Sequence, residues 1–122
     1  MKKKILIVDD EPNIVMALEY AFKKNHFEVF IARDGDEALT ILEQNIPDVI
    51  LLDIMMPNVD GYETLKQIKQ NDQLKHTKVI FLSAKNKTAD IDKGLSLGAD
   101  LYLSKPFSIK KVLTEINELI QN

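Results

Sequence analysis

The feature that most restricts this chain is an alternation. Five short apolar runs are Ile5-Leu6-Ile7-Val8, Phe27-Glu28-Val29-Phe30-Ile31, Val49-Ile50-Leu51-Leu52, Val79-Ile80-Phe81-Leu82 and Leu101-Tyr102-Leu103. Between them lie longer stretches in which apolar residues return at helical spacing, so strand-length and helix-length segments take turns. The first, third and fourth runs are apolar throughout, as strands covered on both faces are. Glu28 interrupts the second run, and the fifth is short and follows Asp100. Those two are expected at sheet edges.

The helices announce their ends. Pro12 suits a first helical turn, and Ile14, Val15, Leu18 and Phe22 then recur at helical spacing. Asp34 with Glu37, and Asp60 with Glu63, have the spacing of capping boxes, with Asp in place of Ser or Thr. Ser108 can cap a last helix whose Val112, Leu113, Ile116, Leu119 and Ile120 form one stripe, and Gly98 sits where the fourth helix should stop. Five such β-α units predict a parallel sheet with helices on both faces, in one domain spanning residues 1–122. Right-handed crossovers and edges at strands two and five fit the order 2-1-3-4-5, the arrangement known from flavodoxin-like, doubly wound sheets. Sites in such sheets form beyond the carboxyl ends of the strands, at the switch point between strands one and three.

The residues that follow the strands make that rim unusual. Strand one delivers Asp9 and Asp10, strand three Asp53, strand four Ser83, and strand five Lys105 followed by Pro106. At ~4 Å separation and an effective dielectric of about 20, each pair of carboxylates repels by roughly 4 kcal/mol. Either their pKa values rise or a cation enters. Oxygen ligands with room for water suit Mg²⁺, which also neutralises an incoming phosphoryl group. A carboxylate can accept such a group as an acyl phosphate, with Lys105 and Ser83 donating to its oxygens.

Composition narrows the alternatives. A formal net charge of −3 lacks the basic excess of a nucleic-acid binder, and with no cysteine there is neither a disulfide framework nor a thiolate site. The apolar run after Met1-Lys2-Lys3-Lys4 ends at once in Asp9-Asp10, too short for a signal peptide or membrane span, so a cytoplasmic address is expected. Singly, each rim residue has a plainer role: Asp-Asp after a strand is usually a cap or solvated turn. Their joint placement at four strand ends overrides those roles. His26 and His76 have no metal-ligand partners at metal-site spacing and read as plain polar residues.

Together, Ile5 to Asp10, the segment Asp53-Ile54-Met55-Met56-Pro57-Asn58-Val59-Asp60-Gly61, Ser83-Ala84 and Lys105-Pro106-Phe107 resemble the signature of response-regulator receiver domains (the CheY-like family) over essentially the whole chain. The resemblance implies that Asp53 is the phosphoacceptor, charged by a sensor histidine kinase or phosphotransfer protein. It implies Mg²⁺ held by Asp10, Asp53 and the Met55 backbone carbonyl, with Asp9 acting mainly through metal-bound water. Ser83 and Lys105 would hold the phosphoryl group, the bond before Pro106 would be cis, and Tyr102 would be the aromatic switch. A downstream protein effector would read a face of helix four, strand five and helix five, with no direct contact to nucleic acid or membrane and no turnover of an external substrate. Leu101, Lys111 and Glu115 depart from the charge pattern by which winged-helix regulators of the family dimerise.

Three rivals fit less well. A nucleotide- or flavin-binding domain needs a glycine-rich turn after strand one, where this chain has Asp9-Asp10-Glu11-Pro12. An Asp-nucleophile hydrolase places Asp-x-Asp there, which is also missing. A degenerate receiver, acting as a protein-binding module without phosphorylation, usually lacks an acid or the lysine. Here all are present.

Overall fold

The computed structural model describes residues 2–54, 60–84 and 88–121. Strands and helices alternate as β1 (Lys4–Val8), α1 (Pro12–Lys24), β2 (Glu28–Ala32), α2 (Gly35–Leu42), β3 (Val49–Asp53), α3 (Gly61–Gln70), a 3₁₀ turn (Asp72–Leu74), β4 (Lys78–Ser83), α4 (Thr88–Ser96), β5 (Leu101–Ser104) and α5 (Ile109–Ile120). All strand pairs are parallel, in the order β2-β1-β3-β4-β5, so the interrupted second run and the short fifth run are the edges.

Alternation within each strand divides the core into two layers. Leu6, Val8, Ile50, Leu52, Val79 and Phe81 face one way, with Ala38, Leu42, Leu65 and Ile68 of α2 and α3. Ile5, Ile7, Val49, Leu51, Ile80 and Leu82 face the other, with Leu18 and Phe22 of α1 and Val112, Ile116 and Ile120 of α5. Residues at odd positions of β4 therefore belong to the α3 side, so Phe81 and Ser83 share a face.

The caps explain where the helices begin. Asp34 accepts from Glu37 N–H and Asp60 from Glu63 N–H, both at 2.9 Å. The first box closes one residue early, because the Glu37 carboxylate takes the Arg33 N–H rather than that of Asp34. Ser108 caps α5 through Lys111 N–H, and Gly98, at φ 111°, ends the stretch after α4. The second strand starts a residue later than its apolar run. His26 takes a left-handed φ of 70°, and Phe27 turns in to meet Phe22 edge-to-face at 5.0 Å.

Candidate functional site

At the carboxyl end of the sheet the acids converge. Asp53 is the last residue of β3 and Ser83 the last of β4, and both are buried, as is Asp9. Asp9, Asp10 and Asp53 each bring a carboxylate oxygen within 4.8 Å of the others, the spacing of a set that can hold one metal ion. Oxygen-only donors of net charge −3 fit a hard divalent cation. The protein's own cation already reaches into this set. The Lys105 ammonium donates to Asp9 Oδ2 at 3.0 Å, Glu11 Oε1 at 3.0 Å and Asp53 Oδ2 at 3.4 Å. Burial pulls that ammonium down, but the hydrogen bonds to Glu11 and Asp9 and the charges of Asp53 and Asp9 outweigh it and hold the group above its ordinary value. The Lys105–Pro106 bond is cis.

Two backbone arrangements fix the acids. The Asp9 carboxylate accepts the Glu11 N–H at 2.9 Å, which turns the chain sharply into α1. Gly61, the first residue of α3, donates its N–H to Ile54 O at 2.9 Å, and a Cβ there would lie 2.6 Å from both Asp53 O and Ile54 Cα. Only glycine lets α3 start this close to the end of β3.

Beyond Ser83 a line of rings leads away from the rim. Tyr102 lies opposite Phe81 in the β4–β5 register, with ring centroids 5.9 Å apart, and Tyr62 of α3 also meets Phe81, at 5.6 Å. Burial raises the Tyr102 phenol, and the nearby Ser83 side chain opposes that effect. Gly94 of α4 makes room, since a Cβ there would sit 2.9 Å from the Phe81 ring and 3.2 Å from that of Tyr102. Lys93 Nζ stands 4.2 Å from the Tyr62 ring centroid.

Of the residues singled out from sequence, Asp9, Asp10, Asp53 and Lys105 lie together, with Ser83 and Tyr102 in contact on the next two strands. Met55, assigned a carbonyl ligand, lies outside the described residues. Sequence reasoning missed Glu11 as a partner of Lys105, and missed Tyr62 and Lys93. Glu11 left one signal: it occupies the N-cap of α1, where a short oxygen-bearing side chain is usual, and makes no capping bond.

Residues 5–117 match the family model for the response regulator receiver domain. This chain belongs to that family. The receiver is 41% identical over 121 residues to the alkaline phosphatase synthesis transcriptional regulatory protein PhoP of Bacillus subtilis, covering 99% of this chain and 50% of that protein. It thus spans about half the length of that curated relative. Among solved structures it resembles the chemotaxis response regulator CheY4 of Vibrio cholerae, with TM-score 0.92 and 29% identity over 98% of this chain and 99% of the other. The BeF3-activated receiver domain of DrrB, from Thermotoga maritima, superimposes with TM-score 0.91 at 29% identity and full coverage of both chains. The predicted family and sheet order stand. As a receiver of a response regulator, the chain is a two-component signalling domain whose family implies a histidine kinase and an effector. Among the described residues no helix is long and apolar enough to cross a membrane.

Proposed function

We propose that Asp53 accepts a phosphoryl group from a phosphohistidine donor with Mg²⁺ present, and that the acyl phosphate alters a protein-binding face. The observation that carries this reading is the Lys105 ammonium, spanning Asp9 and Asp53 inside a cluster of carboxylates at the strand ends. A charged phosphoryl group needs such a place: a nucleophilic oxygen, donors for its oxygens and compensation for its charge. An Asp53 oxygen forms the new O–P bond as the donor P–N bond breaks, and the histidine nitrogen keeps the electron pair. Lys105 turns an N–H from the carboxylates to a phosphoryl oxygen, and the Ser83 hydroxyl donates to another. Asp9, Asp10 and Asp53, with the Met55 carbonyl, would hold Mg²⁺, which when bound neutralises charge on the phosphoryl oxygens. No external substrate is turned over. Asp9, Asp10, Asp53, Ser83 and Lys105 are all present, so the degenerate alternative has no support.

The test is incubation with acetyl phosphate and Mg²⁺, followed by intact-mass measurement. One phosphoryl group per chain is expected, labile in base and absent with chelator; uptake undiminished by chelator would refute the reading. The metal also sets a stability prediction. Asp10 is exposed, and Lys105 bonds the other acids of the site. Asp10→Asn should therefore relieve repulsion and raise metal-free stability by about 1 kcal/mol, a value kept small by solvent screening. Urea midpoints check this, and a lower midpoint for the variant contradicts it.

Output would run through Ser83. Drawing its hydroxyl to a phosphoryl oxygen would move the Ser83 side chain away from the neighbouring Tyr102 phenol, leaving that ring room to shift against Phe81 and Gly94. The partner face would comprise α4, β5 and α5; its predicted start, Lys87, lies outside the described residues. Couplings of this kind change affinity by about 5- to 150-fold. Ser83→Ala is expected to permit some phosphorylation while uncoupling that face. Amide NMR with and without beryllofluoride tests it: a wild-type response confined to the Asp53 rim, leaving Tyr102 and its neighbours unmoved, excludes this route.

A further inference from the structure

We propose that Glu11 is a positioning residue that competes with the phosphoryl group for Lys105 and so limits how fast Asp53 is charged. The inference rests on the reading of Asp53 as phosphoacceptor and assigns the rim a built-in brake. Glu11 Oε1 accepts from Lys105 Nζ at 3.0 Å, as near as Asp9 and nearer than Asp53 at 3.4 Å. Yet Glu11 is not among the carboxylates that close on a common metal position. Were Asp9, Asp10 and Asp53 to hold a cation, Glu11 would be the acid left to hold the lysine.

Local structure points the same way. Glu11 is the N-cap of α1, in extended conformation, with Pro12 in the first turn, and its side chain caps nothing. Its N–H is held by Asp9 and its C=O accepts from Val15 N–H, so the backbone is fixed while the side chain lies toward Lys105. A glutamate that forgoes the helix end for a lysine across the rim departs from local preference at the point where chemistry is expected. Its exposure, 58% of the side chain against 11% for Lys105, makes the tether weak enough to release.

In charging by acetyl phosphate, an Asp53 oxygen forms the O–P bond as the bond from phosphorus to the acetyl oxygen breaks, and acetate leaves with the electron pair. Lys105 must turn to the transferring group, and Glu11 opposes both that turn and the approach of an anionic donor. With saturating Mg²⁺ and low salt, Glu11→Gln should be charged about two- to five-fold faster than wild type, the scale of an exposed ion pair. Glu11→Asp should lie closer to wild type because it keeps the charge. The gain should shrink toward nothing in high salt, which screens an exposed pair and leaves a packing effect untouched. Asp36→Asn, which removes an exposed acid from the first turn of α2, controls for net charge and should change the rate little. Equal rates for wild type and Glu11→Gln, an equal gain in Asp36→Asn, or a gain that persists in high salt each overturn the competition. A wild-type chain that takes up no phosphoryl group overturns the phosphoacceptor reading itself, so the two failures are told apart.

Discussion

Asp53→Asn is expected to take up no phosphoryl group under conditions that charge every wild-type chain. The amide has the shape of the carboxylate but no anionic oxygen to attack phosphorus, so the loss should be complete. Shape matters because Asp53 is only 3% exposed and closes β3 beside backbone that Gly61 approaches closely. The substitution also removes one negative charge from a site where, among the described residues, Asp9, Asp10 and Glu11 gather around Lys105. Its metal-free stability should therefore equal or exceed that of wild type, and failure to charge cannot be put down to unfolding. Intact mass reads the first outcome and a urea titration the second. Full labelling of the variant at another residue would sink the assignment.

The second large effect is on folding. Lys105→Met keeps the aliphatic stem but removes the cation shared by Asp9, Glu11 and Asp53. The Asp9 and Asp53 side chains are only 2% and 4% exposed, so two buried carboxylates each lose a counter-charge. Near neutral pH without metal, the loss should be about 3 kcal/mol, the scale of breaking a buried pair from one side. Adding Mg²⁺ should recover part of it by binding only the folded chain. The pH dependence has a definite sign. The ammonium titrates above its ordinary 10.5 in the folded chain, so its contribution is complete below the unfolded value and disappears as pH rises through the folded one. The wild-type and variant stability curves should thus converge above about pH 10.5. Urea midpoints measured across pH test this; equal midpoints at neutral pH contradict it.

Much of this was legible in the residues, for reasons that also mark where reading stopped. Strands β1, β3 and β4 are buried on both faces, so each appeared as an unbroken apolar run with an acid or serine at its end. The charged or polar residue that terminates such a strand is the one that lines the rim, which is why Asp9, Asp53 and Ser83 could be placed without coordinates. The start of β2 was missed by a residue because Phe27 is apolar for its packing on Phe22, not for membership of the sheet. Glu11 was opaque for a different reason. Nothing in the spacing of residues 11 and 105 reports that a side chain at a helix start crosses to a loop after β5, since that contact exists only once the sheet order is built. Tyr62 and Lys93 share that limitation, meeting only because the fold brings a residue of α4 over a ring of α3.

The row of rings has a practical consequence for anyone following this protein in solution. The chain has no tryptophan and three tyrosines. Tyr62 and Tyr102 flank Phe81, whereas Tyr20 projects from α1 with 69% of its surface exposed. Ring chirality in near-ultraviolet circular dichroism arises from packed, asymmetric surroundings, so the signal should come mainly from the pair at the sheet and little from Tyr20. Arrival of a phosphoryl mimic at Asp53 could then be watched without label, as a change of sign or amplitude in a spectral window free of indole. Tyr20→Phe should leave that response intact, and Tyr102→Phe should remove much of it.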